Sequence, residues 1–99
     1  MTDRERIEEL IEDELVEANL KYPLFRNPHE AYAVLAEECD ELEDEIEHIR
    51  KLMDSMWMAV KYNKDIEEEA KIIRDRAIFA VQEAIQVAAM CDKVKQSNL

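Results

Sequence analysis

Three stretches of this chain carry apolar residues at helical spacing, each bounded by a capping or breaking signal. In the first, Ile7, Leu10, Ile11, Glu14, Leu15 and Ala18 recur at three- and four-residue steps, and Thr2 with Glu5 has the spacing of a capping box. Pro23 ends that run, because its ring excludes it from a helix interior and pushes Tyr22 toward extended dihedrals. A second start follows at once. Asn27 reads as an N-cap, Pro28 as the first helical residue and Glu30 as the third. Nothing forces a break before Tyr62, so the pattern predicts a helix roughly 50 Å long, with room for a bend along Lys51–Met58. "YNKDIEE" interrupts it, with Asn63 or Asp65 as caps for a third helix and Asp65–Glu68 at capping-box spacing. The last run, from Ile66 to Lys95, is the most apolar, and its tail is expected to fray.

Composition narrows this to an all-α fold. The chain has no glycine and two prolines, so tight hairpins lack their usual turn formers. Ninety-nine residues make one domain, 1–99, of three main helices, whose core is expected to be completed by oligomerisation. Hydrophobic content of 47% argues against disorder although 38% of residues are charged. The formal charge of −12 disfavours nucleic acid and anionic membrane, and it repels a triphosphate unless divalent cations intervene. No apolar run reaches membrane-spanning length and the N-terminal stretch is unlike a signal peptide, so a cytoplasmic protein is expected. Cys39 and Cys91 are too few for a disulfide framework. Cys91 reads as a small core residue.

The charge itself is concentrated. "EECDELEDEI", residues 37–46, holds seven carboxylates in ten positions. At about 100° per residue, with Glu37 at zero, Glu41 lies near 40° and Glu38 near 100°. The apolar stripe of Ala31, Leu35, Leu42, Ile46 and Ile49 begins at about 120°. Glu38 therefore borders the core and Glu41 stands one step outside it, whereas Asp40, Glu43 and Glu47 point elsewhere. Glu83 is the greater anomaly. Ile72, Met90 and Val94 fall within about 20° of it and Val87 and Phe79 within about 40°, so a carboxylate occupies the middle of an apolar arc. Such a group costs several kcal/mol unless it is paired, protonated or bound to a cation. The nearest basic residue on that face, Arg76, is about two turns away. Four convergent glutamates, Glu37, Glu38, Glu41 and Glu83, suit Mg²⁺ or Mn²⁺ held together with phosphates. A buried lysine or arginine partner, or a subunit interface, is the alternative explanation of Glu83.

"HEAYAVLAEECDELEDEI" followed by "EAIQVAAMCDK" resembles the MazG-like branch of the all-α nucleoside triphosphate pyrophosphohydrolases, particularly small phage and Gram-positive bacterial members. The resemblance runs over most of the chain. Glu37, Glu38 and Glu41 are similar to the family's paired glutamates and third glutamate, and Glu83 to the glutamate of its next helix; Gln86 stands where the family has aspartate. The resemblance implies metal-dependent hydrolysis of a (deoxy)nucleoside triphosphate to monophosphate and pyrophosphate, by a homodimer or tetramer. It implies metal ligation by Glu37, Glu38, Glu41 and Glu83, with Glu38 and Glu41 also in catalytic positions. Lys21, Lys93, His29 and Gln86 are candidates for contacting substrate. Trp57 with Met53, Met56 and Phe25 could stack on a base or fill an interface, packing being the more ordinary role. Gln86 cannot supply a negative ligand, which favours a second reading, a non-catalytic helical interaction or regulatory protein on the same scaffold. A third, an acidic mimic that occupies a nucleic-acid-binding protein, rests on net charge and leaves Glu83 unexplained.

Overall fold

The computed structural model describes all 99 residues as three helices without a strand: α1 (Asp3–Lys21), α2 (Pro28–Lys61) and α3 (Glu67–Ser97). The capping box of α1 forms in both directions, Glu5 N–H donating to Thr2 Oγ1 at 3.1 Å and Thr2 N–H to Glu5 Oε1 at 3.3 Å. Tyr22 is extended, as a residue before proline should be. Asn27 caps α2 by accepting from Glu30 N–H at 2.9 Å, with Pro28 opening the helix. From there α2 runs 34 residues without a break at Lys51–Met58.

The turn into α3 departs from expectation. Asn63 adopts a left-handed conformation (φ 54°) and closes α2, its N–H donating to Val60 O while Lys64 N–H reaches back to Ala59 O. This is a Schellman-type end in which asparagine does what glycine does in most chains. Asp65 accepts from Glu67 N–H at 3.1 Å, so the Asp65–Glu68 capping box does not form and α3 starts at Glu67 without a side-chain cap. At the other end α3 continues through Ser97. Gln96 and Ser97 are helical and bonded rather than frayed: Asn19 donates to Gln96 Oε1 at 2.8 Å, and Phe25 N–H donates to Ser97 Oγ at 2.9 Å.

A short connection makes α2 and α3 an antiparallel pair, and α1 packs chiefly on α3, its backbone standing off from that of α2. The main core lies where α1, the Tyr22–Asn27 link, the start of α2 and the end of α3 meet, around Leu15, Phe25, Ala31, Ala89 and Met90. Phe25 thus belongs to the opposite end of α2 from Trp57, and the two do not form one aromatic cluster. Cys91 is exposed, not core. The far half of the α2–α3 pair is thinly covered, with Trp57 60% and Phe79 48% exposed. No helix is long and apolar enough to cross a membrane.

Candidate functional site

Two helices bring three of the acids together. Glu38 and Glu41 project from α2 and Glu83 from α3, and one oxygen of each lies within 4.8 Å of the others. The side chains of Glu38 and Glu83 are half-buried and that of Glu41 is exposed. The α2–α3 contact that buries the apolar stripe dictates this meeting, since Glu38 borders the stripe and Glu83 interrupts its counterpart.

Three like charges so close do not all ionise freely. Loss of hydration pushes the Glu83 carboxyl up to about 7, assisted by a hydrogen bond with Glu41 and by the charges of Glu41, Glu38 and Glu45. Glu38 moves the same way, first through desolvation and then through the charges of Glu41, Glu37 and Glu14. Glu83 has no basic partner. Arg76, the nearest basic residue on its face, instead lies 3.6 Å from Glu45 and stacks on Phe79, 5.2 Å from the ring centre. The buried ion pair that would have made Glu83 an ordinary structural residue is therefore absent. Gln86 supplies partial compensation. With its amide nitrogen turned to the carboxylates, the orientation that satisfies both its polar atoms, it donates to Glu38 Oε2 at 2.7 Å and Glu83 Oε2 at 3.1 Å.

The triad stands at the junction of two clefts. The larger, of about 680 Å³, runs between α1 and α2 over a floor of α3, with Glu38 and Gln86 toward one end and Lys93, Phe25 and Tyr22 toward the other. The smaller, of about 390 Å³, lies between α1 and α3 and contains Glu83 and Gln86. Glu14 and Glu17 of α1 line both.

The remaining sequence candidates divide clearly. Glu37 is exposed on the wall of the larger cleft and acts on Glu38 through its charge, outside the convergent triad. Lys21 lines the same cleft but is engaged by Glu17 at 3.2 Å and remains largely in water. His29 is exposed in the first turn of α2 and lines neither cleft. Lys93 is 2% exposed on the cleft floor, its ammonium 5.1 Å from the Phe25 ring centre. Sequence reasoning did not give Glu14 or Ser97 a place here, and it grouped Phe25 with Trp57 as a stacking or interface residue instead of placing it beside Lys93. Glu14 carried a usable signal, since it interrupts the apolar spacing of α1 much as Glu83 interrupts that of α3. Ser97 carried none.

Comparison with known proteins finds no matching family model, no matching curated protein and no matching solved structure.

Proposed function

We propose that this chain hydrolyses a (deoxy)nucleoside triphosphate to monophosphate and pyrophosphate with the help of Mg²⁺ or Mn²⁺. The observation that carries the reading is Glu83, a desolvated carboxylate without a basic partner that converges on Glu38 and Glu41 beside a cleft. The resemblance of "AEECDELEDE" and "EAIQVAAM" to the MazG-like pyrophosphohydrolases supports it. The donor set fits the ion. Oxygens around one Mg²⁺, each at about 2.1 Å, lie no more than about 4.2 Å apart, so a separation of 4.8 Å closes with a small side-chain adjustment. Hard carboxylate oxygens are also the right ligand type.

When bound, the ion would neutralise phosphate charge and acidify a coordinated water. The chain's own residues do the rest. Glu38, Glu41 and Glu83 would hold the ion, with Glu37 adding negative potential from the cleft wall. Without the ion, the Glu83 carboxyl keeps a proton near neutrality and must release it for the ion to bind. Gln86 holds Glu38 and Glu83 in convergence through its two N–H bonds. The apolar cleft residues, Val34 and Met90 among them, exclude water from bound substrate. Two copies of the chain would cover the thin half of the α2–α3 pair. A chain with this substrate would work in the cytoplasm.

Gln86 favours the second reading, a non-catalytic protein on the same scaffold, because its amide already satisfies two of the acids that a cation would serve. A panel of nucleoside triphosphates with Mg²⁺ or Mn²⁺, assayed for pyrophosphate, separates the two. Release by the wild type that is abolished in Glu83→Gln supports hydrolysis. Absence of release across the panel selects the non-catalytic reading.

A further inference from the structure

The larger cleft has a second polar end that the carboxylate triad does not use. Lys93 is almost wholly enclosed there, although lysine is among the residues least often buried. No carboxylate lies within ion-pair distance of its ammonium, and the side chain makes no hydrogen bond within the protein. Its one favourable neighbour is the face of Phe25. The stem is packed away while the ammonium faces the cleft with no counter-charge, so an anion entering the cleft meets an unengaged cation held in place.

The position of this ammonium is built, not incidental. Ser97, one turn beyond Lys93, donates its hydroxyl to Lys93 O at 2.7 Å and accepts from Phe25 N–H at 2.9 Å. The ring stacked on the ammonium is therefore fastened to the same turn of α3 that carries the lysine. Lys93 lies seven residues beyond Gln86, about 10 Å along the helix axis. Helical side chains lean toward the N-terminus, which directs the Lys93 stem along the cleft toward Gln86 and the triad.

We propose that Lys93, held by Phe25 and Ser97, is an anion-recognising end of this cleft and takes a phosphate of a ligand whose other phosphates face Glu38, Glu41 and Glu83. The identity of the anion rests on the nucleotide reading; the existence of the site does not require hydrolysis. A phosphate oxygen is the fitting acceptor, because a charge-assisted bond between an ammonium and an anion is stronger than one to a neutral carbonyl. The acids on the walls, Glu14, Glu17, Glu30, Glu37 and Glu38, repel an anion that arrives without its cation. Affinity is accordingly expected for pyrophosphate together with Mg²⁺.

Calorimetric titration of Mg-pyrophosphate into the wild type, Lys93→Met and Lys71→Met tests this. Lys71 is exposed on α3 outside the cleft and controls for net charge. Wild type should bind, Lys93→Met should bind about tenfold more weakly, and Lys71→Met should change affinity less than twofold. Lys93→Met should still fold, since it keeps the stem and removes an unpaired charge; Ser97→Ala, which frees Phe25, should weaken binding to a lesser degree. Repeating the Lys93 comparison without metal in a Glu38→Gln/Glu83→Gln background removes the triad and much of its repulsion. A Lys93 dependence that persists there upholds the anion site even if no nucleotide is ever hydrolysed. Equal affinity in wild type and Lys93→Met, an equal loss in Lys71→Met, no binding by wild type at 10 mM, or equal Lys93-dependent binding of malonate would each overturn the proposal.

Discussion

Glu83 should make the metal-free protein sensitive to alkali, and the direction follows from proton counting. Its carboxyl titrates at about 7 when folded and near the ordinary 4.5 when unfolded. Between those values the folded state holds more protons, so stability falls as pH rises through the window. Glu38 is shifted in the same sense and adds to the slope. Discounted for solvent screening, the loss is on the order of 2 kcal/mol. In the presence of EDTA, thermal melts should therefore show the wild type more stable at pH 5 than at pH 8. Glu83→Gln should flatten that dependence and melt higher than wild type at pH 8. Adding 5 mM Mg²⁺ should raise wild type at pH 8 and leave Glu83→Gln nearly unmoved, because only a native state with the ligand gains from the ion. A pH-independent wild type, or equal metal shifts in both proteins, would defeat the ligand role. This triad was legible in the sequence because an acid inside an apolar arc is an anomaly on a single helix. Its breadth was not: Glu37 shares the acidic row with Glu41, but whether it converges on Glu83 depends on where α3 crosses α2. Lys93, Phe25 and Ser97 were equally illegible as a unit, since separate segments must pack before the lysine stem is enclosed beside the ring.

At the level of elements, capping chemistry decided what could be read. Asn27, Pro28 and Glu30 give three concordant signals for one helix start, and α2 begins where they point. Replacing Asn27 by Ala should cost about 1 kcal/mol, measured by urea denaturation, because Glu30 N–H loses its acceptor. The α2–α3 turn carried two competing readings, and the helix end prevailed. Asn63 is used to terminate α2 in a left-handed conformation, and Asp65 turns its carboxylate to Glu67 N–H instead of pairing with Glu68. A sequence with no glycine conceals such an ending, since asparagine signals a cap as readily as a left-handed residue. The two roles predict opposite outcomes for one substitution. Asn63→Gly should match or exceed wild-type stability, whereas Asn63→Ala should lose about 1 kcal/mol by forcing a Cβ into the left-handed region. Were Asn63 an N-cap, both changes would remove its side-chain bond and neither would stabilise.

On the scale of the whole molecule, the chain is longer and thinner than its size warrants. Its radius of gyration is 17.4 Å, against about 13 Å expected for a compact domain of this length. The excess lies in the distal half of the α2–α3 pair, where two helices pack without a third. Met53, Trp57 and Val60 share one face of α2 at helical spacing, and all three are substantially exposed. Phe79 and Ile72, seven residues apart, do the same on α3. Two helices cannot enclose such surfaces, while four can, so a second copy laid against this half would complete a four-helix core. Overall charge works against association at −12, so in such a dimer burial of these side chains would have to outweigh repulsion, and added salt should strengthen association by screening it. Sedimentation equilibrium at micromolar concentration should give twice the 11.7 kDa chain mass, and the melting temperature should rise with protein concentration. Trp57→Glu should return the chain to a monomer and lower its melting temperature, whereas Tyr32→Glu, on an exposed position near the start of α2 and away from this surface, should do neither. A wild type that sediments as 11.7 kDa and melts independently of concentration would mean that the exposed apolar faces serve some other contact than a second copy.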